Sequence, residues 1–302
     1  MRHYCQPELT LLILVVTLLL TGCSLPESGI FPEPQASQAI DLVETQAFSS
    51  LLVSPAARPN VPQTPTKSIS PTFPAPDTGW QVLRPGLERR LVTEQREGAG
   101  VPERFYMLRI DPDYFRFDIG YHPGEPQLLG DWMTETGALI VVNGGYFTES
   151  WEATGAIIVE GRQYGTSYQG FGGMFEITES NPALRWLPQR PYEFQEPLMA
   201  GLQSFPMLVT PGNQIGYPEE DGIPARRTVI AQDRQGRFLF VLASSGTYTL
   251  HQLSRFLVAS DLDLEMALNL DGGSSTGLML ADPVEGILPF TLLPAVITVH
   301  PK

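Results

Sequence analysis

Three short segments carry side chains of the kind that do chemistry. The first is Asn269-Leu270-Asp271-Gly272-Gly273-Ser274-Ser275, which follows directly on the apolar run Met266-Ala267-Leu268. A carboxylate at a strand end beside two glycines is accessible, and the backbone N–H groups that follow it can form a nest for an anion. The second is Asn143-Gly144-Gly145-Tyr146-Phe147, after the apolar strand Ala138–Val142. Paired glycines there permit positive φ or a close approach of backbone to a ligand, and the asparagine offers both a donor and an acceptor. The third is Ala225-Arg226-Arg227-Thr228, where a guanidinium fork suited to phosphate or carboxylate enters a strand. Taken singly, each segment is equally well read as a tight turn or a solvated charge.

The elements that must position these segments are mostly strands. Residues 114–121, YFRFDIGY, place Phe115, Phe117, Ile119 and Tyr121 on one face and Arg116 and Asp118 on the other. The run before it, RFYMLRI, is joined to it through Asp111-Pro112-Asp113, which predicts an antiparallel pair. A second hairpin is expected between TVIAQ and RFLFVLAS across DRQG. ALIVV, GAIIVEG, GGMFEIT, FPMLVT, LEMALNL and AVITVH extend the series. Helical spacing is clear for Leu250, Leu253 and Leu257 after Thr249, a suitable N-cap, and a shorter helix is expected over 128–136. Regular alternation of strand and helix is missing, so the expected class is α+β with mostly antiparallel strands in a single domain, residues 79–302.

Taken together and in order, NGGYF, TGAIIVEG, QSFPMLV, RRTVIAQDRQG, a helix and ALNLDGGSS resemble the phosphodiester glycosidase family over residues 83–300. In that resemblance Asn143, Gly144 and Phe147 match one loop, Glu152 and Gly155 an ExxG step, Arg227 and Thr228 an arginine-threonine pair, and Asn269 to Gly273 the NLDGG signature. Ser274 and Ala231 depart from it, each standing where the family usually has glycine. The resemblance implies hydrolysis of a sugar-1-phosphodiester bond, with Asp271 and Glu152 as the carboxylates that stabilise or trap oxocarbenium character and activate water. It further implies a substrate-binding set of Asn143, Gly144, Gly145, Arg227, Asn269, Gly272, Gly273 and Ser275. Arg227 and the N–H groups after Asp271 would hold the phosphate. No cofactor and no metal are expected, since His122, His251 and His300 are scattered. The partner is then a phosphorylated glycan or polysaccharide.

The amino end points to export. Residues 9–20 are apolar after Arg2 and His3 and stop at Leu20-Thr21-Gly22-Cys23, which reads as a signal peptide over 1–22 with a lipoprotein box. Cys23 would be the lipidated first residue, holding the protein at a cell membrane or outer membrane, on the periplasmic or extracellular face. Residues 23–78 contain ten prolines between Ser24 and Asp77 and read as a flexible tether, within which 36–53 could make a short helix. With 19 Lys+Arg against 33 Asp+Glu and a net charge of -14, the chain lacks the basic footprint that nucleic acid requires.

Two other readings stand beside the hydrolase. Gly273-Ser274-Ser275-Thr276-Gly277 spells GxSxG with Asp282 and His300 downstream, the order of a serine esterase, yet no helix follows the serine. A non-catalytic, polysaccharide-binding envelope lipoprotein would use aromatics such as Tyr146, Trp151, Tyr164 and Tyr168.

Overall fold

A computed structural model describes residues 76–179 and 181–302. The signal segment, Cys23, the greater part of the tether and the helix expected within 36–53 lie outside the described residues. All described residues fall in one compact unit built from three antiparallel sheets, two α-helices and one short 3-10 turn.

The eight-stranded sheet runs edge to edge through Gln81–Arg84, Leu87–Glu94, Glu103–Ile110, Phe238–Tyr248, Ala225–Asp233, Leu264–Asn269, Met207–Thr210 and Gln214–Ile215. A five-stranded sheet orders Arg162–Tyr164, Ile157–Val159, Ala200–Ser204, Gly173–Ile177 and Pro182–Trp186. The other five-stranded sheet orders Val284–Ile287, Leu278–Ala281, Ile140–Asn143, Ala295–Pro301 and Phe115–Tyr121. The three close on one another through aromatic packing. Phe117 meets Phe175 at 5.6 Å, Phe238 at 5.2 Å and Phe240 at 6.5 Å between ring centroids, so all three sheets contribute to one cluster. Burying each such ring stabilises by about 1.5–3 kcal/mol. An exposed ion pair across the same junction, such as Arg84–Asp282, adds only about 0–1 kcal/mol. The closure is therefore mainly hydrophobic, with one partly buried polar link from Arg89 and Tyr106 to Glu285.

The alternation over Phe115–Tyr121 holds, with Phe115, Phe117 and Ile119 buried and Arg116 and Asp118 exposed. Its predicted partner does not. Glu103–Ile110 pairs with Leu87–Glu94 on one side and Phe238–Tyr248 on the other, while Phe115–Tyr121 pairs with Ala295–Pro301 in another sheet. Asp111-Pro112-Asp113 does turn the chain, Asp111 Oδ1 accepting the Asp113 N–H at 2.9 Å, but the turn carries it between sheets. Both edges of the earlier strand are already occupied, one of them by a strand that the sequence reading left out. The hairpin across DRQG forms as expected, with Thr228 opposite Leu242 and Gln232 opposite Phe238.

Helix α1 spans Leu129–Thr136 and ends where Gly137, at φ 63, donates its N–H to the Met133 carbonyl. Helix α2 spans Leu250–Ala259 behind a capping box in which Thr249 and Gln252 each accept the other's N–H at 3.2 Å. Its Leu253 and Leu257 pack with Phe105, Leu208 and Val241 on the outer face of the large sheet.

Candidate active site

The three singled-out segments meet where the sheets converge. Asn143 ends its strand, Asn269 ends another, and the strand of Arg227 and Thr228 pairs with the latter, Val229 opposite Asn269. Asn143 is wholly buried. Its Oδ1 accepts the Thr228 hydroxyl at 2.8 Å and the Gly277 N–H at 3.1 Å. Its Nδ2 donates to the Asp271 carbonyl at 2.7 Å and the Gly144 carbonyl at 3.3 Å. Four bonds exhaust an amide side chain, so Asn143 positions the site rather than offering a free group to a ligand.

The backbone leading to Asp271 is tied residue by residue. The Asn269 N–H donates to the Pro206 carbonyl at 3.0 Å, the Leu270 N–H to Thr228 at 2.8 Å and the Asp271 N–H to Gly144 at 3.1 Å. The glycines make this possible by being small. Gly144 and Gly145 do not take positive φ; a Cβ on Gly144 would sit 3.0 Å from the Ala295 carbonyl oxygen, and one on Gly145 2.9 Å from that of Gln203. Gly272 is likewise extended, and its Cβ would meet the Arg226 carbonyl oxygen at 2.8 Å. Gly273 alone of the four needs the left-handed region, at φ +59.

The Asp271 carboxylate is mostly buried. Burial pushes its pKa above the usual carboxylate range, while hydrogen bonds from the Ser275 hydroxyl and the Gly272 N–H, the latter at 2.8 Å to Oδ1, pull the other way. The Gly272 N–H thus serves the carboxylate itself rather than an anion nest. Tyr146 stands beside Asp271. Its hydroxyl accepts from Asn269 Nδ2 at 2.8 Å and donates to the Phe205 carbonyl at 3.0 Å. Burial, and then the Asp271 charge, raise its pKa far above that of a free phenol, whereas Arg227 acts in the opposite direction.

Arg227 is 9% exposed, yet it makes no ion pair among the described residues. Its Nε donates to the Tyr248 carbonyl at 3.4 Å and its Nη2 to the Ile223 carbonyl at 2.6 Å. Burial lowers its pKa, and Asp221 opposes this from beyond ion-pairing range. Arg226, next to it, props the Gly273–Ser275 turn by donating to the Thr276 and Leu288 carbonyls, both at 3.0 Å.

Glu152 is exposed, beside the Phe147–Ala153 bridge, and its charge acts on Tyr121. The serine-esterase arrangement does not assemble: Ser275 bonds Asp271, Asp282 pairs with Arg84 at 2.6 Å, and His300 Nε2 lies 3.1 Å from Thr298 Oγ1. Among the described residues no three His, Cys, Asp or Glu side chains gather as a metal-holding group. A cavity of about 600 Å³, lined by residues including Arg96, Gly222, Thr247 and Gln252, does not include Asp271.

Sequence reasoning left Thr228 out of the binding set although it is the hydroxyl that fixes Asn143, and it left out Phe205. Both sit inside motifs already in view, RRT and QSFPMLV. What was missing was the sheet register that brings them to Asn143 and Tyr146.

Comparison with known proteins extends this picture. The catalytic domain of zebrafish N-acetylglucosamine-1-phosphodiester alpha-N-acetylglucosaminidase, held auto-inhibited by its pro-peptide, superposes with a TM-score of 0.60 at 17% identity. That match covers 72% of this chain and 85% of the zebrafish one, a likeness of fold. A Synechocystis protein matches with a TM-score of 0.48 at 14% identity, covering 72% of this chain and 62% of that one. No curated protein matches by sequence. The sequence profile of the phosphodiester glycosidases matches residues 136–291, just over half of the chain and the whole stretch from Asn143 to Ser275, so the chain belongs to the phosphodiester glycosidase family.

Proposed function

We propose that this protein hydrolyses the bond between the anomeric carbon of a sugar and a phosphodiester in a phosphorylated glycan, releasing the sugar and a phosphomonoester. The observation that carries the reading is the pairing of opposite, separately held charges around Tyr146. Both charges act on Tyr146: Asp271, mostly buried and fixed through its backbone, and Arg227, buried with no ion-pair partner among the described residues. An unpaired buried guanidinium is costly unless an anion arrives to complete it.

In this reading Arg227 holds a phosphate oxygen and the anomeric carbon faces Asp271. As the C1–O bond lengthens, positive charge spreads over C1 and the ring oxygen, and the carboxylate stabilises it. The electron pair leaves with the phosphate, whose acidity makes protonation of the leaving group less necessary. Water then adds to C1, giving the hemiacetal, and its proton passes to Asp271. The raised pKa of Asp271 suits that acceptance, because a stronger base draws the proton more readily. Glu152 is assigned no proton-transfer step, being exposed to solvent. Lipidation at Cys23 would display this chemistry at the cell envelope, and a Cys23→Ser chain recovered in the soluble fraction would bear that out.

The test is release of reducing sugar from a panel of sugar-1-phosphate methyl and aryl diesters by the purified full chain. Asp271→Asn should lower turnover on the order of 10³-fold or more. Because the folded protein raises the carboxyl pKa, the ionised group weakens the fold above that pKa, and the stability is recovered as pH falls. Asp271→Asn should therefore unfold at the same or a higher temperature at neutral pH. Unchanged turnover would remove Asp271 from the mechanism.

A further inference from the structure

Beyond Tyr146 the protein holds aromatic rings at its surface. Phe205 is 37% exposed and Phe171 47% exposed. Their ring centroids lie 5.7 Å apart, Phe205 is 4.7 Å from Tyr146, and Tyr168 stacks on Phe171 at 4.9 Å. Tyr146 links the set to the Asp271 loop, its hydroxyl accepting from Asn269 Nδ2 two residues before Asp271.

Buried polar groups fix these rings from behind. The Phe205 carbonyl accepts both the Tyr146 hydroxyl and Asn269 Nδ2, each at 3.0 Å. The Tyr168 N–H donates to Gln203 Oε1 at 2.8 Å, and Gln203 is itself buried. Gly172 sits at φ +77 with no room for a side chain, since a Cβ would lie 2.6 Å from the Ser204 carbonyl oxygen and 3.3 Å from Phe205 Cβ. Anchors of this kind stop the rings from collapsing inward, which is the preorganisation a ligand surface needs. The rings border a depression of about 240 Å³ that also includes Trp186, Pro188 and Met207 and has no charged residue in its lining.

These features select the occupant. An uncharged wall excludes phosphate, and the volume suits one ring rather than a protein surface, which needs roughly 1,000 Å². Aromatic faces receive the C–H face of a pyranose. We propose that Phe171, Phe205 and Trp186 form a stacking subsite for an uncharged sugar ring beyond the scissile bond, making this protein selective for extended glycans over single-sugar phosphodiesters. The placement of the subsite relative to the reaction rests on Asp271 being the point of cleavage; the sugar binding does not.

Two measurements on the full chain separate these dependencies. Neutral trisaccharides of glucose, mannose and N-acetylglucosamine are titrated into the Asp271→Asn protein while tryptophan emission is followed. A saturable change that disappears in Trp186→Phe, is lost in Phe171→Ala and survives in Phe171→Trp is expected. In the active protein, kcat/KM for a sugar-1-phosphodiester carrying one further sugar should exceed that for the unextended diester by about 3–10-fold. In Phe171→Ala the ratio should fall to one. Trisaccharide binding lost on Phe171→Ala supports the subsite even if no diester is cleaved, in which case only the Asp271 reading fails. Cleavage with no length preference and no trisaccharide binding overturns the subsite and leaves the cleavage reading intact. Self-association abolished by Phe171→Ala, with no sugar bound, would mark the patch as an interface and overturn it as well.

Discussion

Arg185 and Arg227 are both withdrawn from water, at 3% and 9% exposure, and they are partnered in opposite ways. Arg185 is surrounded by acid. Its Nη2 lies 2.5 Å from both Glu176 and Glu196, its Nη1 donates to Glu196 at 2.9 Å, and Arg190 closes the network on the far side of Glu176. Arg227 meets only the carbonyl groups of Tyr248 and Ile223. The first arginine completes its charge balance within the fold, so it belongs to the architecture. The second has no ion-pair partner among the described residues, with Asp221 acting on it only from a distance, which is the basis of its proposed role in holding an anion. Burial alone therefore does not distinguish the two; the presence or absence of an ion-pair partner among the described residues does.

The largest effect that can break this contrast is on stability. Arg185→Met strands Glu196 and leaves Glu176 with Arg190 alone, so chemical denaturation should show a loss of about 3–5 kcal/mol. A loss below about 1 kcal/mol would mean that the acid network contributes little and that the comparison misassigns it. Arg227→Met should do the reverse. Its unfolding free energy should move by less than about 1 kcal/mol, while kcat/KM for sugar-1-phosphodiesters falls by about 10²–10³, the cost of removing a charge-stabilising group. An unfolded or strongly destabilised Arg227→Met protein would place this residue with Arg185 as a structural element.

The smallest effect is a shift in pH dependence. Since burial raises the Asp271 pKa and the Ser275 hydroxyl restrains that rise, the acid limb of kcat/KM should lie above the usual aspartate range near pH 4. Ser275→Ala removes the restraint, so the limb should move further toward neutral pH with the alkaline side unaltered. A limb that stays in place in Ser275→Ala would show that Asp271 is not the group whose ionisation limits the rate.

Much of the strand content was legible before the structure because alternation is a local signal. Phe115, Phe117 and Ile119 announce their buried face in seven residues, and Thr249 announces the start of α2 through its capping partner Gln252. Sheet membership is not local. RFYMLRI and YFRFDIGY look like hairpin arms around an Asp-Pro-Asp turn, and only the presence of Leu87–Glu94 on the free edge of the first arm explains why they separate. The site divides in the same way. The types and order of Asn143, Arg227 and Asp271 pointed to a shared location, and the bonds from Asn143 to Thr228 and to the Asp271 backbone bring them together. The roles within the site were less legible. Gly144 and Gly145 suggested a left-handed turn, but close packing against Ala295 and Gln203 is what requires them. Glu152 entered as a second carboxylate through the resemblance of its ExxG step, and a motif does not say how exposed a side chain will be.

Asn143 spends every donor and acceptor it has on joining its own strand end, a strand of the large sheet at Thr228 and the loop that carries Asp271. One consequence is diagnostic. Any replacement there would disturb folding and reactivity together, so an inactive variant at this position could be mistaken for the loss of a reactive group. A second consequence concerns diversification. A knot that admits no alternative side chain gives a lineage no means of changing its preferred sugar at that point. Changes of preference would have to accumulate at the rim, where Phe171 and Phe205 can be exchanged without untying it.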